Sequence, residues 1–172
     1  MKQEFRILTN DPSFTAWGWA VVDNYGIVEN TGCIKTEPES KKRRIRKGDD
    51  TIRRISEINF ELLKLIRENN ISCILSELPH GSQNASAAVM VGAVAAIVQT
   101  ISDVFGIPVE WYSEQDAKKH MLGKKSATKQ EMIDAVSKWY KVGWKGIKYK
   151  DEAVADAMAI YHVARFQSSL LK

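Results

Sequence analysis

Apolar and polar residues alternate in short blocks over the first part of the chain. Apolar runs at residues 5–9, 16–22 and 27–35 have the length and composition of strands. Turn-forming sequences at residues 10–13 and 23–26 separate them. Because the connections are short, the pattern predicts an antiparallel meander of three strands.

The rest of the chain predicts helices that alternate with strands. Residues 37–50 are polar and basic, which favours a loop. Apolar residues then recur at helical spacing over 51–69. Further strands are predicted at residues 71–76 and 107–112, with helices at 84–105, 126–139 and 151–166 and a shorter helix capped by Ser113. The order β-β-β-α-β-α-β-α-α-α predicts an α/β fold, in which a mixed five-stranded sheet is flanked by helices.

Composition favours one cytoplasmic domain over residues 1–172 with no membrane partner. The longest apolar segment, residues 85–101, is interrupted by Ser86 and Gln99 and predicts a buried helix. The first residues are too polar for a signal peptide. Cys33 and Cys73 lie in apolar runs, which predicts reduced thiols in the core and no disulfide.

Positive charge is concentrated in three segments. The net charge is +4 and the pI is about 9.0. Six of the seven residues from 41 to 47 are Lys or Arg, and further basic stretches span residues 118–129 and 138–150. One such cluster is usually a solvated surface, but three of them favour a polyanionic partner such as nucleic acid.

Four carboxylates are candidates for a metal site. Asp11 follows the first predicted strand, Glu77 ends the fourth, and Glu152 and Asp156 lie four residues apart on the last helix. A turn role for Asp11, an ion pair for Glu77 and an N-cap role for Asp151 remain open. Hard carboxylate oxygens suit Mg²⁺, and two such ions can support phosphodiester hydrolysis.

Four segments, taken in order, resemble the RuvC family of Holliday-junction resolvases, which has the RNase H-like fold. Each segment is short, but their order covers nearly the whole chain. They are ILTNDPSFTAWGWAVVD, ILSELPHGSQNASAAVMVG, WYSEQDAKKHMLGKKSATKQEM and ADAMAI.

The resemblance implies a homodimer that binds branched DNA, namely four-way junctions, and makes paired nicks with 5′-phosphate and 3′-hydroxyl ends. It implies two Mg²⁺ ions at each active site, with Mn²⁺ able to substitute. Asp11, Glu77 and Asp156 match the family's metal ligands. Lys118 and Lys129 match basic positions that support DNA binding and catalysis, with Lys129 near the scissile phosphate.

The chain departs from the family at several positions, two of which concern the predicted metal ligands and DNA contacts. Where the family has an acid or histidine three residues before the last Asp, this chain has Ala153, so Glu152 is the substitute ligand and Asp151 the reserve. His80 stands where some members have an aromatic wedge. The predicted DNA contacts are Lys118, Lys124, Lys125, Lys129, Arg43, Arg44, Arg46, His80 and Asn84.

Three other functions fit the same residues. A broader branched-DNA or flap endonuclease would share the fold and the acids. A non-catalytic junction-binding protein would fit the displaced fourth acid. An RNase H that acts on RNA–DNA hybrids would share the carboxylates, but it fits the lysine-bearing third segment less well.

Overall fold

Within the part of the chain that the structure describes, ten helices and strands follow one another in the predicted order. The computed structural model describes residues 5–39, 45–81 and 83–172. In these ranges the elements are β1 Arg6–Asp11, β2 Ala16–Asp23, β3 Val28–Lys35, α1 Lys47–Asn69, β4 Cys73–Glu77, α2 Ala85–Phe105, β5 Val109–Tyr112, α3 Glu114–Leu122, α4 Lys129–Trp139 and α5 Lys148–Gln167.

The strands form one mixed sheet in the order β3-β2-β1-β4-β5. β1, β2 and β3 pair antiparallel, whereas β4 pairs parallel with both β1 and β5. The predicted meander with added parallel strands is therefore confirmed. Because β1, β4 and β5 run in the same direction, their carboxyl ends meet at one edge of the sheet.

Helices cover both faces of the sheet. Ile7, Cys73 and Leu75 pack with α3, α4 and α5, whereas the neighbouring Leu8 and Ile74 pack with α1 and α2. Successive strand residues point to opposite faces, so these central strands are apolar on both sides. Odd-numbered residues of β1 and β4 consequently face α5.

Helix α5 lies unusually close to β2. A Cβ atom built on Gly18 would stand 1.9 Å from the carbonyl oxygen of Ala153, so only glycine allows this approach. One strand away, the Thr9 hydroxyl donates a 2.6 Å hydrogen bond to the carbonyl oxygen of Ala157. These two contacts fix the helix over the centre of the sheet.

Three helices begin at residues other than those predicted. α1 begins at Lys47, so residues 47–50 are helical and do not belong to the predicted loop. α4 begins at Lys129, after a capping box in which Thr128 and Glu131 bond reciprocally, and not at Ser126. α5 begins at Lys148, so Asp151 is not its N-cap.

The long helix α2 is less buried than its composition predicts. Its side chains are exposed from Ala85 to Val89, and buried positions appear only from Val94 onward. Among the described residues, α2 alone is long and apolar enough to cross a membrane by length and composition. That criterion is weak evidence, because core helices of soluble proteins also meet it.

Both cysteines are free, as predicted. Cys73 is buried in β4 and Cys33 is half-buried in β3. Burial raises the pKa of the Cys33 thiol to about 11 and that of the Cys73 thiol to about 12.

Candidate active site

Two carboxylates stand side by side at the carboxyl edge of the parallel strands. Asp11 ends β1 and Glu77 ends β4, and the preceding residues Asn10 and Ser76 are register partners. By strand alternation, Asp11 shares its face with Thr9, and Glu77 shares its face with Leu75. Both acids therefore project toward α5.

A third carboxylate comes from α5. Asp156 lies next to Ala157, whose carbonyl oxygen is bonded to Thr9 of β1. Its side chain is only 13% exposed and forms an ion pair with the Lys129 ammonium group at the start of α4. The structure thus brings Asp156 to the side of the sheet toward which Asp11 and Glu77 project, and the role of the three acids as metal ligands stays a prediction.

Burial and mutual repulsion make the strand-end acids hard to ionise. Burial, followed by the negative charge of Asp156, raises the pKa of Asp11 from 3.8 to about 7, against the opposing effect of Lys129. Burial, followed by the charge of Asp11, raises the pKa of Glu77 from 4.5 to about 9. The pKa of Asp156 is raised by burial, although Lys129 opposes the shift.

The donor set suits a divalent cation. The charge of Asp156 raises the pKa of Asp11, and the charges of both raise the pKa of Glu77, so a positive charge placed among these carboxylates would stabilise them. Their hard oxygens match magnesium or manganese. No three His, Cys, Asp or Glu side chains within the described ranges stand close enough together to hold one ion as they lie. The Lys129 ammonium group pairs with the Asp156 carboxylate, so a metal ion would compete with Lys129 for the Asp156 oxygens.

A fourth acid, Glu114, was missed by the sequence reasoning. It is the first residue of α3, just after β5, and its charge raises the pKa of Asp11, Glu77 and Asp156. It pairs with Lys118. The available signal was topological: an acid that follows a parallel strand next to β4 lies at the same sheet edge.

The predicted fourth ligands have different surroundings. Glu152 borders a hollow of about 700 Å³ that is also lined by Lys129, Trp144 and Lys148, whereas Asp11, Glu77 and Asp156 do not line it. Asp151 is buried, and its carboxylate accepts a 2.8 Å hydrogen bond from the backbone N–H of Lys145. Asp151 therefore organises the loop before α5.

Some predicted DNA contacts surround the acids and others do not. Lys118 and Lys129 are among the cations that act on Asp11 and Asp156. His80 is exposed and lies 3.9 Å from a Glu114 oxygen. Lys125 is exposed on the turn before α4.

Other predicted contacts already have partners within the protein. Lys124 pairs with Glu131, and Arg46 pairs with Asp49 at 2.7 Å. The Asn84 side chain caps α2 by accepting from the backbone N–H of Ala87. Arg43 and Arg44 lie outside the described residues.

Comparison with known proteins assigns the chain to a family. The family model described as crossover junction endodeoxyribonuclease RuvC matches residues 7–162. This chain belongs to the RuvC family. RuvC-family enzymes are metal-dependent nucleases, which agrees with the acidic site. The RuvC proteins of Shewanella amazonensis and Methylococcus capsulatus are each 26% identical to this chain, over 91% and 95% of its length and 86% and 93% of theirs.

Solved structures of Holliday-junction resolvases share the fold. Thermus thermophilus RuvC in complex with a Holliday-junction substrate matches with a TM-score of 0.72 at 19% identity and covers 96% of both chains. The yeast mitochondrial Holliday-junction resolvase Ydc2 matches with a TM-score of 0.60 at 14% identity, over 92% of this chain and 77% of its own. The RNase H-like fold expected from the sequence is confirmed.

Proposed function

We propose that this protein is a divalent-metal-dependent endonuclease that resolves four-way DNA junctions by paired nicks. The products are 5′-phosphate and 3′-hydroxyl ends. One observation carries the proposal: Asp11 and Glu77 end adjacent parallel strands and face Asp156 of α5, in a chain of the crossover junction endodeoxyribonuclease family.

The acids are the proposed metal ligands. Asp11, Glu77 and Asp156 would hold magnesium or manganese, with two ions at each site. When bound, such ions supply an activated water and stabilise the leaving oxygen of a phosphodiester. The protein contributes three converging carboxylates, whose positions are fixed by the sheet and by α5. Their burial limits water around the reacting phosphate.

Lys129 has two roles in this proposal. It neutralises Asp156 in the absence of substrate. Partial burial opposes its charge, but the neighbouring carboxylates, Asp156 first among them, outweigh burial and raise the pKa of the Lys129 ammonium group. Near the scissile phosphate, the same ammonium group would stabilise negative charge that develops during cleavage.

The DNA-binding surface extends from the acids across the turn before α4. Lys118, Lys125 and Lys129 carry positive charge on this side, and His80 lies in the loop that follows β4. The backbone phosphates of a junction arm suit such a surface. The basic run at residues 41–47 adds charge to the chain for the same partner.

A homodimer is the proposed assembly. Paired nicks in strands of like polarity need two active sites related by a twofold axis. The exposed first half of α2 supports this assembly, because Val89 is 64% exposed among small side chains that include Ala85, Ala88 and Gly92. The proposed location is the cytoplasm, where chromosomal DNA is accessible in bacteria.

Matched DNA substrates test the function. Four-way junction, flap and linear duplex of the same sequence are incubated with the protein in Mg²⁺ or in EDTA. We expect cleavage of the four-way junction in Mg²⁺ only. D11N and E77Q should abolish cleavage while leaving junction affinity within about threefold, because neither removes a positive charge.

Each alternative outcome has a distinct meaning. Equal cleavage of flap and junction would replace the proposal with a broader branched-DNA nuclease. Tight junction binding without Mg²⁺-dependent cleavage would identify a non-catalytic binding protein. If D11N and E77Q lose binding and folding together, the acids are structural.

A further inference from the structure

Each of the three adjacent parallel strands delivers a carboxylate to the same edge of the sheet. β1 ends in Asp11 and β4 ends in Glu77. β5 ends at Tyr112, the register partner of Glu77, and the chain reaches Glu114 two residues later. Glu114 thus follows β5 at the same edge of the sheet as Asp11 and Glu77.

The local structure directs Glu114 to this edge. Ser113 caps α3 by accepting from the backbone N–H of Asp116 at 3.0 Å, which starts the helix immediately after the strand. The β4–β5 pairing continues to this point, because the backbone N–H of Leu78 donates to the carbonyl oxygen of Tyr112 at 2.8 Å. Glu114 is therefore held beside the end of β4.

Contacts on both sides of its carboxylate place Glu114 at the acidic edge of the sheet. One oxygen pairs with Lys118 within α3, and the other lies 3.9 Å from His80, in the loop that follows Glu77. Glu152, by contrast, borders the hollow lined by Trp144 and Lys148.

We propose that Glu114 is a fourth metal ligand of the acidic site and approaches it from the β5 side. The inference rests on the proposed metal-dependent nuclease function and adds a residue to that site. The Glu114 side chain is 40% exposed and its oxygens contact Lys118 and His80. An exposed carboxylate held by an exchangeable ammonium group can turn to a divalent ion at little cost.

The two possible roles of Glu114, metal ligand or partner of Lys118, make opposite predictions for a variant that lacks the Lys118 charge. If Glu114 binds the ion, Lys118 competes with that ion for the same oxygens, and removing its charge should tighten metal binding. If Glu114 serves only to hold Lys118, removing Lys118 should reproduce the loss caused by removing Glu114. The variant K118M therefore separates a ligand from a residue that merely positions a lysine.

Direct titration of Mn²⁺ into the DNA-free protein tests the proposal. Isothermal calorimetry gives the Mn²⁺ dissociation constant for the wild type, E114Q, E152Q, K118M and the control E61Q. Glu61 is an exposed glutamate of α1, away from the acids. Thermal unfolding of each variant verifies that it is folded, and junction cleavage is measured against Mg²⁺ concentration.

We expect E114Q to raise the Mn²⁺ dissociation constant at least about tenfold and to raise the Mg²⁺ requirement for cleavage in parallel. K118M should lower that constant, and E61Q should leave it within about twofold of wild type. An unchanged constant in E114Q, a larger loss in E152Q than in E114Q, or a loss in K118M would each overturn the assignment.

The experiment separates this inference from the function on which it rests. A wild type that binds Mn²⁺ and cleaves junctions, with an E114Q variant that does both equally well, overturns only the role of Glu114. A wild type that neither binds Mn²⁺ nor cleaves overturns both.

Discussion

At the scale of single residues, the site concentrates carboxyl groups where the protein is least able to solvate their charged form. Asp11 and Glu77 are both held with raised pKa values, chiefly by burial. Such an arrangement opposes folding and is retained at functional sites because it serves binding or chemistry. The cost should be visible in the stability of the protein.

Replacing Asp11 by Asn should stabilise the protein at alkaline pH in chelator. The pKa of Asp11 is raised to about 7 in the fold, so the folded state keeps a proton that the unfolded chain loses near pH 3.8. Stability therefore falls as pH rises between these values. D11N lacks this penalty, and its melting temperature should exceed that of wild type by at least about 2–4 °C near pH 8.

The pH series supplies the control for D11N. The difference between D11N and wild type should shrink as the pH is lowered toward 4, because the wild-type carboxyl then also carries its proton. Thermal unfolding followed by circular dichroism measures both proteins. A D11N variant that is less stable than wild type at every pH would contradict burial as the cause of the raised pKa.

Replacing Lys129 by Ala should slow cleavage more than it weakens binding. Lys129 contacts Asp156 at the acidic group, so its charge acts where the phosphate reacts. We expect a loss of about 10²–10³ in the single-turnover cleavage rate. Junction affinity should fall by less than about tenfold, since one phosphate contact is lost.

An exposed lysine on the same helix provides the matched control for this variant. K138A removes a charge from the last turn of α4, distant from Lys129 along the helix. It should leave the cleavage rate unchanged. Equal losses of cleavage rate and junction affinity in K129A would mean that Lys129 only binds a DNA phosphate and does not stabilise the reacting group.

The sequence predicted those site residues that stand out from their immediate neighbours along the chain. Asp11 and Glu77 end apolar strands, and Asp156 interrupts an Ala-rich helix, so each is conspicuous by itself. Glu114 sits in an ordinary helix N-terminus, where acids are common, and only the β4–β5 pairing reveals what lies beside it. Glu152 was chosen by spacing along the helix, which does not tell which acid faces the strand ends.

At the scale of secondary-structure elements, the position of α5 over β2 controls the site. The contact between Gly18 and the Ala153 backbone sets how closely the helix approaches the sheet. Asp156 lies less than one turn further along α5. A change in the helix–strand distance would therefore move Asp156 relative to Asp11.

Adding one methyl group at Gly18 should destabilise the protein and impair cleavage. In G18A the Cβ would stand 1.9 Å from a carbonyl oxygen, and backbone atoms cannot turn aside as side chains do. We expect a loss of about 1–3 kcal/mol in the free energy of unfolding, measured by urea denaturation. Cleavage under folded conditions should fall as well, because α5 carries Asp156.

G48A is the control for this substitution. Gly48 lies in the first turn of α1, and a methyl group added there would have no atom within 4 Å, so alanine should be neutral or stabilising. A G18A variant as stable as G48A would mean that α5 can shift away from β2 without cost.

Element order and type followed from the sequence, whereas helix starts did not. The periodicity of apolar residues is lost in a helical turn whose polar side chains face solvent. It therefore did not predict the first turns of α1 and α5. At Lys47 and Lys148 the helix starts lie among charged residues that give no apolar signal. Thr128 carried a readable signal, since Glu131 stands three residues later as a capping box requires.

At the scale of the whole molecule, the fold leaves part of an apolar helix uncovered. The side chains of the first half of α2 are exposed, although its apolar composition suggested a buried helix. Amino-acid composition indicates that a helix is apolar, but it does not indicate which chain packs against that helix. A second copy of the protein is the proposed cover.

Placing a charge on this surface should separate the dimer. In V89E a glutamate replaces an exposed valine of α2, and two copies would face each other across the twofold axis. We expect sedimentation velocity at micromolar concentration to show a monomer in V89E and a dimer in wild type. Junctions should then receive single nicks in place of paired ones.

F60E serves as the control for V89E. Phe60 is 67% exposed on α1, so the change also places a charge on an exposed apolar residue outside α2. It should leave the protein dimeric. A wild type that is monomeric at these concentrations, or a V89E variant that remains dimeric, would remove α2 from the interface.

The two native thiols offer a practical advantage for following the DNA arms. Thiol-reactive dyes attack the thiolate, and raised pKa values leave Cys33 and Cys73 almost entirely protonated at neutral pH. A cysteine introduced at an exposed position such as Lys138 would therefore accept a fluorophore selectively. Single-molecule energy transfer to a labelled junction could then be recorded without first replacing either natural cysteine.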